Sequence, residues 1–289
     1  MRFTVAVCTW NRAALLSRAL ERLARVQQPA GEWELLVVNN NSDDDTERVL
    51  DSFESRLPLR RAFEPEQGLS HARNRAVEQA AGEYIVWTDD DALVGENWLA
   101  AYGRAVERYP DAAFFGGPIR PRFEGTPPRW LSSAWREVGV AFAARDLGEE
   151  PFELAVGRLP FGANYVIRAR EQRQFPYDPA LGRRRDGGAV GEETAVLRAV
   201  LAAGGTGRWV PDAPVEHWIP KERQTTRYLR EYYALQGKTF VKTDAGPLRL
   251  WCGILYAESA YALARLSGDP RRWLKPLVKA SLLRGSARR

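Results

Sequence analysis

The sequence predicts an α/β protein: a mostly parallel, twisted sheet flanked by helices on both faces, with a helical extension at the C-terminal end. Three observations carry this. Runs rich in β-branched and aromatic residues recur at Phe3–Cys8, Trp33–Val38 and Glu83–Trp87, the composition of strands buried inside an α/β sheet. Between them lie segments with helical apolar spacing, as in Leu15, Leu16, Ala19, Leu20 and Leu23. Strand and helix alternate up to Asp91, and that alternation favours parallel strands covered on both sides.

Taken in order, Phe3–Cys8 is a buried strand, Thr9–Arg12 a turn, and Ala13–Val26 a helix. A second strand, Trp33–Val38, is closed by the polar run Asn39–Asp45, which can cap a helix over Thr46–Phe53. Leu59–Phe63 reads as an exposed third strand, Ser70–Ala81 as a helix and Glu83–Trp87 as a fourth strand. Beyond Asp91 the pattern loosens. Helices are expected at Trp98–Tyr109 and Glu192–Ala203, and short strands at Ala113–Gly117, Phe161–Arg168 and Arg208–Val210. Pro121–Glu150 shows few clear periods, and the Gly/Arg-rich loop Gly182–Gly191 is expected to be mobile before a ligand binds. Residues 1–220 are therefore read as one body and 221–289 as a C-terminal extension.

The charge is unevenly distributed. From Lys221 onward there are 15 Lys/Arg against 5 acids, a net of +10, which leaves −5 for residues 1–220. A basic segment on an acidic body suggests an anionic partner. Within that segment Leu250–Leu266 is apolar but contains Glu258 and Arg265, and it falls short of the ~20 residues a membrane span needs. The following Arg271, Arg272, Lys275 and Lys279 are spaced among Leu274, Leu277 and Val278. That suits either a helix lying on an anionic membrane surface or a packed helix with a solvated basic face. Nucleic acid is not expected, because the tail shows neither aromatic platforms nor a helix-turn-helix pattern. Cys8 and Cys252 are too few for a disulfide framework or a zinc site. Met1–Val5 enters the first strand with no leader pattern, so a cytoplasmic chain is expected, peripheral at the inner face of the cell membrane if the tail binds lipid.

The chemistry concentrates at Thr88-Asp89-Asp90-Asp91, where three acids follow the apolar run Tyr84–Trp87. Like charges at a strand end repel unless a cation offsets them, and a hard divalent ion takes oxygen ligands of this kind, often shared with phosphates. A solvated acidic turn is the plain alternative. Thr9, Trp10, Asn39, Asn40, Asn41 and the acids all follow strands, so they should converge on one crevice at the strands' C-terminal ends. Trp10 offers a face for a nucleobase, worth about 1–3 kcal/mol when stacked, and Asn40 and Asn41 offer amides for its edge.

Seven segments in order give a specific resemblance: VAVCTWNR (5–12), LLVVNNNSDD (35–44), GLSHARNRAV (68–77), GEYIVWTDDD (82–91), LPFGANYVIRARE (159–171), GEETAVLRA (191–199) and VEHWIPKERQTTRYLREYYALQG (215–237). Together they resemble the family 2 glycosyltransferases, inverting enzymes of the GT-A fold, a Rossmann-like α/β architecture, that use nucleotide-diphospho sugars. The resemblance implies a metal site for Mn²⁺ or Mg²⁺, with Asp91 as direct ligand, Asp89 or Asp90 facing the ribose, Asp89 also counted to the metal site, and His217 as a further ligand. It implies nucleotide contacts from Thr9, Trp10, Arg12, Asn39, Asn40, Asn41 and Arg73. Asn40 stands where relatives often carry an acid, which leaves UDP, GDP and dTDP open as the nucleotide.

In the same family the general base lies in a Gly-Glu-Asp segment, matched here by Gly191-Glu192-Glu193. Glu193 takes the Asp position, one methylene or ~1.5 Å longer, with Glu192 as the alternative. Both acids also suit the first turn of a helix through its dipole. Arg223 and Arg227 are candidate phosphate or acceptor ligands, and Gly162 with Asn164 would approach the sugar. Gln224-Thr-Thr-Arg227-Tyr departs from the Gln-x-x-Arg-Trp of processive relatives, so a single addition to a sugar or lipid-linked acceptor is expected. The competing readings are a non-catalytic nucleotide-sugar-binding protein and a sugar-nucleotide pyrophosphorylase. The second would need a Gly-rich basic loop after the first strand, which CTWNRA lacks.

Overall fold

The computed structural model describes residues 1–29, 31–185, 187–241 and 246–287. Its strands are β1 (Phe3–Thr9), β2 (Trp33–Asn39), β3 (Leu59–Phe63), β4 (Tyr84–Thr88), β5 (Ala92–Val94), β6 (Phe114–Gly116), β7 (Ile119–Phe123), β8 (Glu153–Leu154), β9 (Asn164–Arg168), β10 (Gly207–Trp209) and β11 (Val215–Ile219). Its helices are α1 (Ala13–Leu23), α2 (Thr46–Phe53), α3 (Leu69–Gln79), α4 (Trp98–Arg108), α5 (Arg129–Ser133), α6 (Trp135–Val138), α7 (Ala169–Gln174), α8 (Glu192–Ala202), α9 (Thr226–Phe240), α10 (Pro247–Arg265) and α11 (Pro270–Ser286).

Eight strands form the main sheet in the order β3-β2-β1-β4-β9-β6-β10-β8, and a smaller sheet has the order β5-β11-β7. β1 pairs in parallel with both β2 and β4, and β2 with β3, while β9 runs antiparallel between β4 and β6. Alternate residues of the central strands feed two apolar layers. Val5, Val7, Val37 and Val86 face Leu16, Leu20, Leu99 and Tyr102 on one side. Ala6, Leu36, Val38 and Ile85 face Ala72, Ala76, Val196 and Leu197 on the other. This is the doubly covered sheet that the strand composition implied.

Two boundaries differ from the sequence reading for local reasons. The first helix ends at Leu23, because the N–H groups of Arg25 and Val26 turn to carbonyls three residues back and tighten the last turn. The strand expected from Phe161 begins only at Asn164, whose N–H closes a turn onto Phe161 O at 3.1 Å.

Contacts divide the chain into two compact units. The first holds 1–121, 143–185 and 191–218; the second holds 122–142, 186–190 and 219–289. The second unit thus gathers in 122–142, which the sequence reading ran together with the first body. The reason is packing: Leu131, Ala134, Val138 and Phe142 from α5, α6 and the following 3₁₀ turn are buried with Leu229, Trp273, Leu274 and Leu277. Within this unit α9 and α11 meet backbone to backbone. A Cβ on Gly237 would lie 2.1 Å from Leu282 O, and one on Gly285 only 1.8 Å from Ala234 O, so neither position admits a side chain. Thr225 caps α9 by accepting from Tyr228 N, and Asp269 caps α11 by accepting from Arg271 N. Among the described residues no helix is long and apolar enough to cross a membrane.

Candidate active site

The chain winds from β1 through β2 to β3 and then returns to place β4 on the other side of β1. The C-terminal ends of β1 and β4 therefore flank the reversal point, where open α/β sheets bind ligands. The loops after β1 and β2 are tied together there. Asn11 N donates to Ser42 Oγ (3.0 Å), Asp43 N to Asn11 Oδ1 (2.8 Å) and Ala13 N to Asp44 Oδ2 (2.9 Å). Trp10 sits half-buried in the same loop.

The acids at the end of β4 meet β1 directly. Thr9 Oγ1 donates to Asp90 Oδ2 at 2.9 Å, and Arg12 Nη1 stands 2.8 Å from Asp90 Oδ1 and 3.1 Å from Asp91 Oδ2. Arg12 supplies positive charge to a cluster that would otherwise repel itself, and Asp90 raises the guanidinium's own affinity for its proton. Burial still pushes Asp90 up to about 6, with Arg12 opposing and Asp91 adding to the rise.

Asp91 gains a second partner through topology. β5 starts immediately after it and runs antiparallel to β11, with Ala92 opposite His217. The pairing brings His217 Nε2 within 3.4 Å of Asp91 Oδ1, and Trp218 N donates to Asp91 O at 2.8 Å. A carboxylate oxygen and an imidazole nitrogen this close can share one ion, and the mixed donor set favours Mn²⁺ over Mg²⁺. Among the described residues no three His, Cys, Asp or Glu side chains are gathered to hold an ion alone. Asp91 with His217 is the pair that could hold one together with oxygen atoms of a ligand. Asp89 does not join it. Its carboxylate faces Arg73 Nη2 at 3.5 Å, and burial raises its pKa although Arg73 opposes this.

Arg73, expected on a phosphate, is instead buried among carboxylates and rings. Nη1 donates to Glu192 Oε1 at 2.9 Å, and the guanidinium lies 5.6 Å and 5.4 Å from the ring centroids of Trp87 and Tyr177. Burial is the largest influence and works against its charge, but Glu192, Tyr177, Asp89 and Tyr165 together outweigh it and raise its pKa. Gly162, expected beside the sugar, makes room for this arginine: a Cβ there would lie 2.5 Å from Arg73 Nη2. Trp87 and Tyr177, which cradle Arg73 and were not singled out from the sequence, carry no motif signal beyond being aromatic.

Glu192 and Glu193 open α8 after Gly191, whose φ of 93° is left-handed. Glu192 is fixed by Arg73, whereas Glu193 is pushed up to about 7, by burial first and by the neighbouring Glu192 charge second. The start of the Gly/Arg loop is held to α3: Ser70 Oγ donates to Leu181 O, Leu69 N to Arg183 O and Arg185 N to Gln67 Oε1. Asp186 of that loop lies outside the described residues.

Several polar residues expected to face a ligand are used by the fold instead. Asn164 is fully buried; its Oδ1 accepts from Trp98 Nε1 and Tyr102 OH, and its Nδ2 donates to Pro118 O and Ala213 O. It therefore has no hydrogen-bonding capacity left for a sugar. Asn40 donates to Glu64 O and Glu66 O and accepts from Gly68 N, which braces the 64–68 loop rather than a base edge. Asn39 is engaged on each side of its amide, donating to Glu47 Oε1 and accepting from Ser42 N. Asn41 is exposed, in a left-handed conformation at φ 61°. Arg223 and Arg227 belong to the second unit, where Arg227 is 88% exposed and pairs with Glu231. Asn164→Ala is expected to destabilise the protein by about 3 kcal/mol or more, since each orphaned buried group costs about 1–3 kcal/mol. Thermal unfolding checks this, and a shift corresponding to under about 1 kcal/mol would contradict it.

Comparison with known proteins bears on the family and the fold. The family description "Glycosyl transferase family 2" matches residues 4–159, more than half of the chain. Among curated proteins, the succinoglycan biosynthesis protein ExoM of Rhizobium meliloti (strain 1021) is 26% identical over 91% of this chain and 78% of its own length. The glucosyl-dolichyl phosphate glucuronosyltransferase of Haloferax volcanii is 26% identical over 64% of this chain and 59% of its own. Among solved structures, the mannosyltransferase PcManGT of Pyrobaculum calidifontis, in complex with GDP-Man and Mn²⁺, superposes with a TM-score of 0.61 at 18% identity, covering 99% of this chain and 86% of that one. The S. aureus TarS 1–349 complex with UDP gives 0.57 at 14%, covering 100% and 91%. At these identities the structural likeness is one of fold, the GT-A architecture. The matched span contains both the acid run after β4 and the strand ends that surround it, so the chain belongs to glycosyl transferase family 2 and is a glycosyltransferase.

Proposed function

We propose that this glycosyltransferase moves one sugar from a nucleotide-diphospho sugar to an acceptor hydroxyl with inversion at the anomeric carbon. The observation that supports this best is the bridge made by Arg73, 2.9 Å from Glu192 and 3.5 Å from Asp89. It joins the acid run at the donor end of the sheet to the helix start that carries Glu193. In this reading Asp91 and His217 hold a divalent ion, which when bound offsets the charge that develops on the departing diphosphate. Arg12 keeps Asp90 and Asp91 close together despite their like charge. Glu193 accepts the proton of the acceptor hydroxyl as its oxygen attacks, a task suited to a carboxylate whose pKa lies near neutrality. Arg73 holds Glu192 aside, so Glu193 has the freer carboxylate for that transfer.

A lipid-linked sugar is the acceptor class we favour, in keeping with the name of the Haloferax volcanii relative. Thermal stability should be measured with UDP-, GDP- and dTDP-sugars and Mn²⁺, and the product's anomeric configuration read by proton NMR. One donor is expected to stabilise the protein only when the ion is present, and an α-linked donor should give a β-linked product. Retention of configuration would exclude the mechanism, and donor binding with no transfer to any acceptor would favour a binding protein.

A further inference from the structure

The outer side of α10 is apolar and uncovered within its own unit. Its inner side is fixed: Ile254 and Ala257 are buried, and Glu258 is held by Arg230 at 2.7 and 3.0 Å and by Arg284 at 3.1 Å. On the opposite side Leu248, Trp251, Leu255, Tyr256, Leu263 and Leu266 are 58% to 85% exposed. At the angular step of an α-helix these six fall within an arc of about 140°. The other residues in that arc are Cys252, Ser259 and Ala262, so no charge interrupts it. Single exposed apolar residues are ordinary, whereas a continuous stripe of this size marks an interaction surface.

The border of the stripe is basic. Arg249 and Arg265 lie along its two edges, and Glu258, between Arg265 and the stripe, is offset by Arg230 and Arg284. On the neighbouring α11, exposed Arg271, Lys275 and Lys279 recur every four residues, and Lys279 Nζ lies 5.8 Å from the Tyr256 ring centroid. This basic row also rims an apolar groove of about 650 Å³ floored by Leu274, Val278 and Leu282. Of the nearby acids, Glu258 is engaged as above and Asp269 caps α11, which leaves Glu137 as one acid among the three cations that line the groove. A two-fold contact between copies would bring these cationic borders together, and a spanning helix is excluded among the described residues. An anionic bilayer answers both halves of the pattern, since hydrocarbon accepts the stripe while long basic side chains reach lipid phosphates.

We propose that the outer face of α10, with Arg271, Lys275 and Lys279 of α11, docks flat on the surface of an anionic bilayer. This goes beyond the proposed sugar transfer, and vesicle binding reads it without any transfer taking place. The full chain is sedimented with vesicles of phosphatidylcholine alone and of phosphatidylcholine with phosphatidylglycerol. Binding to the anionic vesicles at low salt, weakening as salt rises, is the expected result. Replacing Arg271, Lys275 and Lys279 together by Ala should weaken it about 100-fold, at roughly fivefold per cation. The double variant Leu255→Asp and Leu263→Asp should lose it, while circular dichroism and nucleotide-sugar thermal shifts stay unchanged, because both leucines are exposed. Indifference to anionic vesicles, or variants that bind as the parent does, would overturn the proposal. So would a dimer, seen by sedimentation equilibrium in place of vesicle binding, that the leucine variants dissociate.

Discussion

Asp91→Asn is expected to lower turnover by at least about 10²-fold, the usual cost of losing a group that stabilises transition-state charge. The substitution is nearly isosteric, so it isolates charge from shape. Asp91 is 4% exposed, with one carboxylate oxygen 3.1 Å from Arg12 and the other 3.4 Å from His217. The amide keeps an oxygen for one of these partners but binds a divalent ion far more weakly than a carboxylate does. The fold should change little, because removing the Asp91 charge relieves its repulsion with Asp89 and Asp90 and so offsets the lost pairing with Arg12, which keeps Asp90. The expected pattern is therefore an unchanged melting temperature without donor, together with loss of the Mn²⁺-dependent stabilisation by donor. A variant within tenfold of parental turnover, in a protein whose activity survives excess EDTA, would move the metal site away from Asp91.

The parts of this architecture legible in the sequence are those set by local pattern. Buried parallel strands announce themselves through composition, and Asp89–Asp91 and Glu192–Glu193 announce themselves as acids at element ends. The fate of individual polar side chains was less legible, because it depends on partners distant in sequence. Asn164 looks like a ligand-binding amide until Pro118 and Ala213 are seen to take its donors. Asn40 is committed to a loop 24 to 28 residues away. Arg73 carries the charge of a phosphate ligand, yet it lies between Asp89 and Glu192, which only the completed sheet brings to it. Residues 122–142 were opaque for another reason. Helices of five and four residues are too short to show a period, and their burial comes from α9 and α11, far along the chain.

Glu193→Gln should abolish transfer while leaving donor binding nearly intact, since a general base acts on the acceptor's proton and not on the diphosphate. A loss of about 10²–10⁴-fold in kcat is expected. The pH profile gives the sharper test. Burial, then the adjacent Glu192 charge, pushes Glu193 up to about 7, and only the ionised form accepts a proton, so kcat/KM should rise with pH through about 7. The variant's residual activity should lack that rising limb. Stability changes in the opposite sense. A carboxyl whose folded pKa stands above its ordinary value of 4.5 contributes stability that is fully present below 4.5 and is lost as pH rises through 7. Glu193→Gln should therefore melt with the parent at pH 4.5 and above it at pH 8.5, a gain in stability paired with a loss of activity. Glu192→Gln should do the reverse: it removes the partner of Arg73 Nη1 and leaves a buried guanidinium short of a counter-charge, so it should cost stability. If Glu192→Gln were inactive with its fold intact and Glu193→Gln fully active, the base would be Glu192, and Arg73 would be the group that tunes it.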